Sequence, residues 1–555
     1  MSAGKITVIG EHRVSSDRLA WMFRDTSIRT TSSSSWMPAG SFHLLMSLDG
    51  TVRVRGTISG VRRVFHARVG GLTIASDRAD VLAALAGGGI DEERLAVRLL
   101  SPIAPWPLVW RPLWRGVEAV LPGHDLELDG YGDCWQVRYW TPPLPTLSLQ
   151  EGARALRSAL TEAVDVRVRD DPVVASDLSG LDSTSLCCLA ARTVVRLVAV
   201  TAASPDVMDD DVRWARLTAA ALRTMLDTAK HDVVHDVISA NDIPLTYHGI
   251  LDADDHLDEP CHIITDRSCF LRLVEHGAAH GARVRLAGVG GDEVLDTGMA
   301  WLHSVSRTNP TAAIGLVRGF AAKYRWPRRR LVTKLLDNRS YRRWLAGLPR
   351  DIAAPVDLDD PPLDWGTVPS LPPWATREAA RVVRDALFDA ARTADPLANS
   401  RGMHSTLDTI HVGSLVARQF QQMAARHQVT LALPYLDDAV VNASLAVRPE
   451  QRLTPRRYKP LIVEAMRGIV PAETLARTTK SETGAIVEQG LREHRDQILD
   501  IAEGSLLAER GLVDADRMRQ MCLRPPRSDM SHTTLESTIA CEMWLRTVTS
   551  RTAPT

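Results

Sequence analysis

The chain has no apolar run approaching the ~18 residues that a membrane-spanning helix needs. Its first residues, MSAGKITVIGEHRVSSDRLAWMF, hold no apolar stretch fit for a secretory signal. No Gly-Lys-Ser/Thr closes a glycine loop, which excludes a Walker A phosphate site. Cysteine is sparse: seven residues, at 134, 187, 188, 261, 269, 522 and 541, odd in number and without a Cys-x-x-Cys pair. That usage suggests neither a disulfide framework nor a zinc site. A formal net charge of -1 supplies no global field toward nucleic acid or a membrane surface. No internal repeat is visible. These absences lead us to expect a cytoplasmic protein with no nucleic-acid or membrane partner.

What is present is ordinary globular composition, 45% apolar and 24% charged, over 555 residues, too many for one ordinary core. The first ~140 residues read as β-rich. Short β-branched runs in SFHLLMSLDGTVRVRGTISGVRRVFHARVGGLTIAS are broken by Asp-Gly, Ser-Gly and Gly-Gly, which is hairpin punctuation. TPPLPTLSLQ, residues 141–150, reads as a linker. Beyond it the pattern alternates: helix at 151–168, strand at PVVAS, helix at STSLCCLAARTV, strand at RLVAVTAAS, helix at WARLTAAALRTMLDTA, strand at KHDVVHDV. The helix CFLRLVEHGAAHG and the strand ARVRLAG follow. Such alternation predicts a parallel sheet covered by helices. Residues 303–347 read as helical and basic, 349–376 as a Pro- and Asp-rich mobile loop, and the remainder as mainly helical.

Two loops carry chemistry. In ASDLSGLDSTSLCCLAA an apolar strand runs through Ser179, Gly180, Leu181, Asp182, Ser183 and Thr184 straight into a helix. Gly180 lets backbone approach a ligand, the hydroxyls of Ser179, Ser183 and Thr184 offer donors, and the helix start favours anions. Asp182 would repel bare phosphate and makes sense beside Mg²⁺. A serine-capped strand-to-helix turn would use the same residues. In RVRLAGVGGDEVLDTG, Gly288, Val289, Gly290, Gly291, Asp292 and Glu293 follow a buried strand, suiting close approach to a ligand at the sheet's carboxyl edge. Asp292 would then face Asp182 and share Mg²⁺ with it, although a glycine turn with a solvated acidic pair reads the same alone.

The first loop resembles the pyrophosphate-binding Ser-Gly-Gly-x-Asp-Ser loop of the asparagine synthetase superfamily. Gly288–Glu293 resembles that superfamily's second glycine-acid loop, and Pro434-Tyr435-Leu436-Asp437 its later Pro-Phe-Leu-Asp element. Within it the chain is most similar to lasso peptide cyclases (macrolactam synthetases), through VRVRGTISGVRRVFHA, DLSGLDSTSL, DDDVRWAR at 209–216, RLAGVGGDEVL and RRYKPLIVEAMRGIVPAETLARTTKSE at 456–482. The resemblance runs from about residue 40 to Arg546. It implies an α+β, glutaminase-like (Ntn-type) β-sandwich at 1–145, non-catalytic, and an α/β ATP-pyrophosphatase domain at 150–555. It implies ATP and Mg²⁺ as cofactors, with adenylation of an Asp or Glu side chain of a precursor core peptide. The peptide's N-terminal amine then closes a macrolactam, releasing AMP. A leader-peptide-binding protein and a leader peptidase are the implied partners. Residue by residue, Ser179, Gly180, Asp182 and Ser183 match the pyrophosphate loop, Asp182 and Asp292 the magnesium ligands, and Lys480 a lysine that neutralises developing charge. Lys459, in Tyr-Lys-Pro, is a second candidate.

Three departures qualify that match. Ser2 stands where glutamine-dependent relatives need cysteine. The pyrophosphate loop is one glycine short. Val289 stands where relatives carry an acid or tyrosine, so a base must come from elsewhere, with His404, His411 and Glu293 as the titratable residues to test. The basic run KYRWPRRR at 323–330 reads as a docking surface or a solvated helix end. Two other readings stand beside the cyclase: a small-molecule amidoligase, β-lactam synthetase-like or asparagine synthetase-like, and a non-catalytic nucleotide- or peptide-binding scaffold.

Overall fold

A computed structural model describes residues 5–12, 37–48, 50–206, 208–227, 229–350, 352–354, 359–479, 484–523 and 529–552. The N-terminal part contains β1 (Lys5–His12), β2 (Gly40–Leu48), β3 (Thr51–Arg55), β4 (Phe65–Val69) and β5 (Leu72–Ser76), then helices α1 (Ala79–Ala86) and α2 (Glu92–Val97). It ends with β6 (Val117–Ala119), β7 (His124–Leu128) and β8 (Cys134–Arg138). These strands form two antiparallel sheets, β1-β2-β3-β7-β8 and β5-β4-β6. The β-rich expectation overlooked α1 and α2. Both are short, and α1 ends at Gly87 in the left-handed region, just before Gly88 and Gly89.

Residues 141–148 are irregular, and α3 (Leu149–Val168) then opens on a capping box, with Ser148 and Glu151 each bonding the other's backbone. There follow β9 (Val173–Asp177), α4 (Leu181–Ala190), β10 (Arg196–Ala202), α5 (Asp211–Met225), β11 (Asp232–Ile238), α6 (Arg267–Ala279), β12 (Val284–Leu286) and α7 (Gly291–Leu295). Next come α8 (Ala300–Thr308), α9 (Pro310–Tyr324), α10 (Arg328–Leu336), α11 (Tyr341–Leu345), α12 (Arg377–Thr393), α13 (Arg401–Arg426), β13 (Thr430–Ala432) and α14 (Asp438–Leu445). Shorter helices and the long Asp529–Thr552 complete the chain. The second sheet is parallel throughout, in the order β11-β10-β9-β12-β13. Val174, Leu197, Val198, Ala199 and Leu286 are fully buried. Burial on both faces is why these strands read as unbroken apolar runs.

Strand order places the site. The chain moves outward from β9 to β10 and β11, then returns to add β12 on β9's other side. The loops leaving β9 and β12 therefore diverge at the carboxyl edge, where open α/β sheets bind ligands. They are the two loops singled out above.

The N-terminal sheets are packed onto the helices rather than tethered. One core cluster joins Phe65, Leu95, Trp110 and Trp114 to Tyr341, Trp344 and Trp544. Glu259 pairs with both Arg63 (2.9 Å) and Arg98 (3.4 Å). Asp437 of the Pro434–Asp437 element does not face the loops. It accepts from Arg167 (2.9 Å) and from the Gly40 backbone N–H (2.8 Å), while Arg167 also reaches Glu11 (2.6 Å).

The expectation of a mobile loop at 349–376 is corrected. Among its described residues, Ile352, Leu363, Trp365, Leu371 and Trp374 are buried, and Trp365 Nε1 donates to Arg339 O at 2.9 Å. Proline breaks the helical pattern without preventing apolar side chains from docking. In the basic run, Trp326 is buried, while Lys323 at the end of α9, Arg325 in the turn, and Arg328, Arg329 and Arg330 at the start of α10 are exposed.

Candidate functional site

At the end of β9, Leu178 and Ser179 lead to Gly180, which caps α4, and Leu181 opens the helix against the core. This turn is tight. Ser179 N donates to Ser183 Oγ (3.3 Å), the Ser179 and Ser183 hydroxyls lie 3.2 Å apart, and Ser183 Oγ donates to Gly180 O (3.1 Å). Thr184 is buried, with its Oγ1 directed at Ser179 O, so it stabilises the turn instead of presenting a donor outward. A Cβ on Gly180 would meet nothing within 4 Å, so its outer face is open.

The other glycines do something different from what the sequence suggested. A Cβ on Gly288 would come 2.9 Å from Ser183 N, and one on Gly291 would come 2.6 Å from Asp182 Cγ. Gly290 has a φ of +90°, and its Cβ would fall 2.7 Å from Leu436 Cγ. These three glycines let the two loops nest against each other and against the Pro434–Asp437 turn, a contact that itself demands them. Tyr435 reinforces the joint by donating its hydroxyl to Asp182 O at 3.0 Å.

Nesting brings Asp182 and Asp292 to one ammonium. Lys459 Nζ bonds Asp182 Oδ2 and lies 2.6 Å from Asp292 Oδ1; its side chain is fully buried, whereas Asp292 is 58% exposed. Burial would lower the pKa of Lys459, but the fields of Asp182 and Asp292 outweigh it and the pKa is raised. Lys459 has a φ of +39°, a strained left-handed conformation just before the helix Pro460–Ala465. Tyr458 donates its hydroxyl to Asp292 Oδ1 at 3.1 Å. The lysine ranked second from sequence thus holds the centre of the acidic pair.

Lys480 lies outside the described residues, as does Ser2. The approach to Lys480 is anchored. Arg477 donates to Ser179 O (3.2 Å), Asp210 (2.6 Å) and Asp211 (2.5 Å), and Thr479 donates to Asp210 at 2.8 Å. Arg477, Asp210, Asp211 and Tyr458 had no assigned role at the sequence level. The acidic run DDDVRWAR was the visible signal, its arginine partner being distant in sequence.

Glu293 packs against α13, where a Cβ on Gly413 would meet its Cγ at 2.6 Å, and burial raises its carboxyl pKa. Val289 packs on the core and offers no polar atom. His404 and His411 are corrected as base candidates. Both are buried, His404 Nδ1 accepts from Leu397 N (2.9 Å), and His411 Nε2 lies 3.1 Å from Ile58 O. Desolvation pushes them down to about 3 and about 4. They are structural rings among Trp106, Trp110, Tyr341 and Trp365.

The residues fit a magnesium–phosphate group. Two carboxylates from separate loops converge on one point of positive charge, beside an open glycine and a helix N-terminus.

A family model described as asparagine synthase matches residues 155–546. The chain belongs to the asparagine synthase family. Membership makes it an ATP-using ligase of that superfamily, and the parallel sheet is the family's domain. No curated relative matches the chain. Among solved structures, it is similar to a glutamine phosphoribosylpyrophosphate amidotransferase from B. subtilis complexed with ADP and GMP. That match has 12% identity, covers 51% of this chain and 70% of that one, and has a TM-score of 0.16. A structure titled as the allosteric regulatory enzyme of purine biosynthesis matches at 11% identity, over 47% of this chain and 63% of that one, also at a TM-score of 0.16. At that score neither bears on the architecture. Among the described residues, no helix is long and apolar enough to cross a membrane.

Proposed function

We propose that this asparagine synthase family member is an ATP-dependent, AMP-forming amide ligase whose reacting phosphates sit over the Ser179–Thr184 loop. The observation that carries the reading is Lys459 held between Asp182 and Asp292 where the two strand-end loops meet. A carboxylate does not acylate an amine unaided, because oxide is a poor leaving group. Attack of the substrate carboxylate oxygen on the α-phosphorus forms an acyl-adenylate and expels pyrophosphate. Attack of an amine on the acyl carbon then forms the amide and expels AMP, the amine proton leaving to solvent or a base. Mg²⁺, held by Asp182 and Asp292, would neutralise phosphate charge. Gly180 leaves room for the phosphates, the start of α4 offers free N–H groups, and Lys459 supplies a buried fixed cation. Lys480, the residue after the Arg477–Thr479 anchor in sequence, is proposed as a second cation.

The family match supports a small-molecule amidoligase most directly. The resemblance of the motif ensemble supports the narrower reading, macrolactam closure on a precursor core peptide. That reading carries with it a leader-peptide-binding protein and a leader peptidase. Val289 disfavours a tyrosine- or acid-assisted amine deprotonation at its own position. We propose that residues 1–145 are a glutaminase-like layer without chemistry, and 150–555 the ligase domain. The deciding experiment incubates the protein with ATP, Mg²⁺ and either a co-encoded precursor peptide or small amino-acid carboxylates. Release of pyrophosphate and AMP with loss of one water from the peptide supports macrolactam closure. Turnover on small carboxylates alone assigns the small-molecule ligase, and no pyrophosphate with any substrate leaves the scaffold.

A further inference from the structure

Away from the two loops, three side chains converge at the outer edge of the parallel sheet. Asp236 belongs to the edge strand β11. His276 and His280 are one turn apart at the end of α6, in His-Gly-Ala-Ala-His. His276 Nε2 lies 2.8 Å and His280 Nε2 2.9 Å from the same oxygen, Asp236 Oδ2, and the three atoms all fall within 4.8 Å of one another. We propose that Asp236, His276 and His280 form a zinc site that clamps β11 to α6.

The chemistry suits the ion. Two imidazole nitrogens and one carboxylate oxygen are a donor set that zinc accepts, and a histidine pair at i, i+4 presents both rings on one helical face. Tetrahedral coordination at about 2.0–2.1 Å places ligand atoms roughly 3.3 Å apart, so each imidazole nitrogen needs to move only about half an ångström from Asp236 Oδ2, and all three atoms already lie within 4.8 Å of one another. The side chains are 35%, 20% and 29% exposed, which leaves a fourth position for water or a ligand. The scaffold is rigid where it matters. A Cβ on Gly277, between the histidines, would fall 2.8 Å from Ala175 Cβ, so α6 sits directly on the sheet. Asp236 shares a lateral row with Val200 and Asp177, two strands from the phosphate loop. His235 is no part of the cluster, because its Nε2 bonds Thr201 Oγ1 at 2.9 Å. The alternative is a carboxylate bridging two rings with no metal.

Metal content and binding test the proposal independently of ligase turnover. Purified full-length protein, stripped with chelator and dialysed against Zn²⁺, should retain one equivalent by elemental analysis. Zn²⁺ should raise its Tm, since binding to the native state alone stabilises it. The double variant His276→Ala/His280→Ala should lose that equivalent and the Tm response. Asp236→Asn, which keeps size and shape, should weaken Zn²⁺ binding at least ~10-fold by calorimetry, and it serves alone if the double variant does not fold. No stoichiometric zinc in the wild type, or equal zinc uptake by the variants, overturns the site.

Discussion

Lys459 Nζ stands 2.6 Å from Asp292 Oδ1 while also bonded to Asp182, so one buried cation serves two loops. Removing it should cost more in the chemical step than in binding. Lys459→Ala is expected to lower kcat for pyrophosphate release at least ~10²-fold, the scale for losing one preorganised charge. Lys459→Arg should rescue poorly, because a planar fork does not replace a compact ammonium in a closed site. Running Lys480→Ala in parallel separates the two lysines. Whichever variant mainly raises KM for ATP and spares kcat is a binding contact and not the catalytic cation.

Asp182→Ala and Asp292→Ala should each abolish conversion of ATP to AMP while the far-ultraviolet circular dichroism stays that of the wild type. Chelation of Mg²⁺ should do the same to the wild type, reversibly. Near-normal turnover by either variant at saturating Mg²⁺ would show that the carboxylates share no metal.

Glutamine is not expected to donate the amine. Ser2→Ala should leave amide formation unchanged, and added glutamine should release no glutamate. Glutamate release that depends on Ser2 would restore an amidotransferase role to the N-terminal layer.

Stability should carry a signature of two largely desolvated acids. Burial raises Asp408 and Asp438 from the ordinary 3.8 to about 7. A carboxyl with a raised native pKa binds more protons folded than unfolded, so its contribution is present below about 4 and is lost as pH climbs to about 7. Asp438→Asn keeps the acceptor for Ile58 N (2.9 Å) and removes the ionisation. His404 and His411, lowered by burial, pull stability the other way over this range, so the difference is what reads out: between pH 4 and 7 the urea midpoint of the wild type should lose ground relative to that of Asp438→Asn and of Asp408→Asn. Identical slopes in all three proteins would place these groups in solvent.

Cys187, Cys261 and Cys541 are buried, and burial pushes each thiol up to about 12. None should react with a thiol reagent at neutral pH until the protein is unfolded. Rapid native labelling of any of them, located by peptide mapping, would contradict that packing.

The sheet was legible because strands buried on both faces leave continuous apolar runs, as at Leu197–Val200. The loops were legible because glycines and acids follow those runs. Local pattern could not show why the glycines are there: Gly288 and Gly291 answer to Ser183 and Asp182, more than a hundred residues earlier in the chain. Lys459 read only as the second candidate behind Lys480, since its partners and its positive φ appear only when Pro460–Ala465 is docked. His404 and His411 were ambiguous for a related reason. A ring on a helix face is chemically idle or active according to what covers it, and here tryptophans do. The histidine pair of α6 was visible as a spacing, but its carboxylate sits on another element, so cysteine counting could not find the cluster.

The twin salt bridges of Glu259 make the ligase half a poor candidate for a portable module. Both of its partners, Arg63 and Arg98, come from the N-terminal layer. Excised at residue 150, the larger piece would keep a carboxylate set in a dry interior with neither counter-ion, and would bare Tyr341, Trp344 and Trp544 to water. The front layer is thereby a wall of the larger piece's own interior.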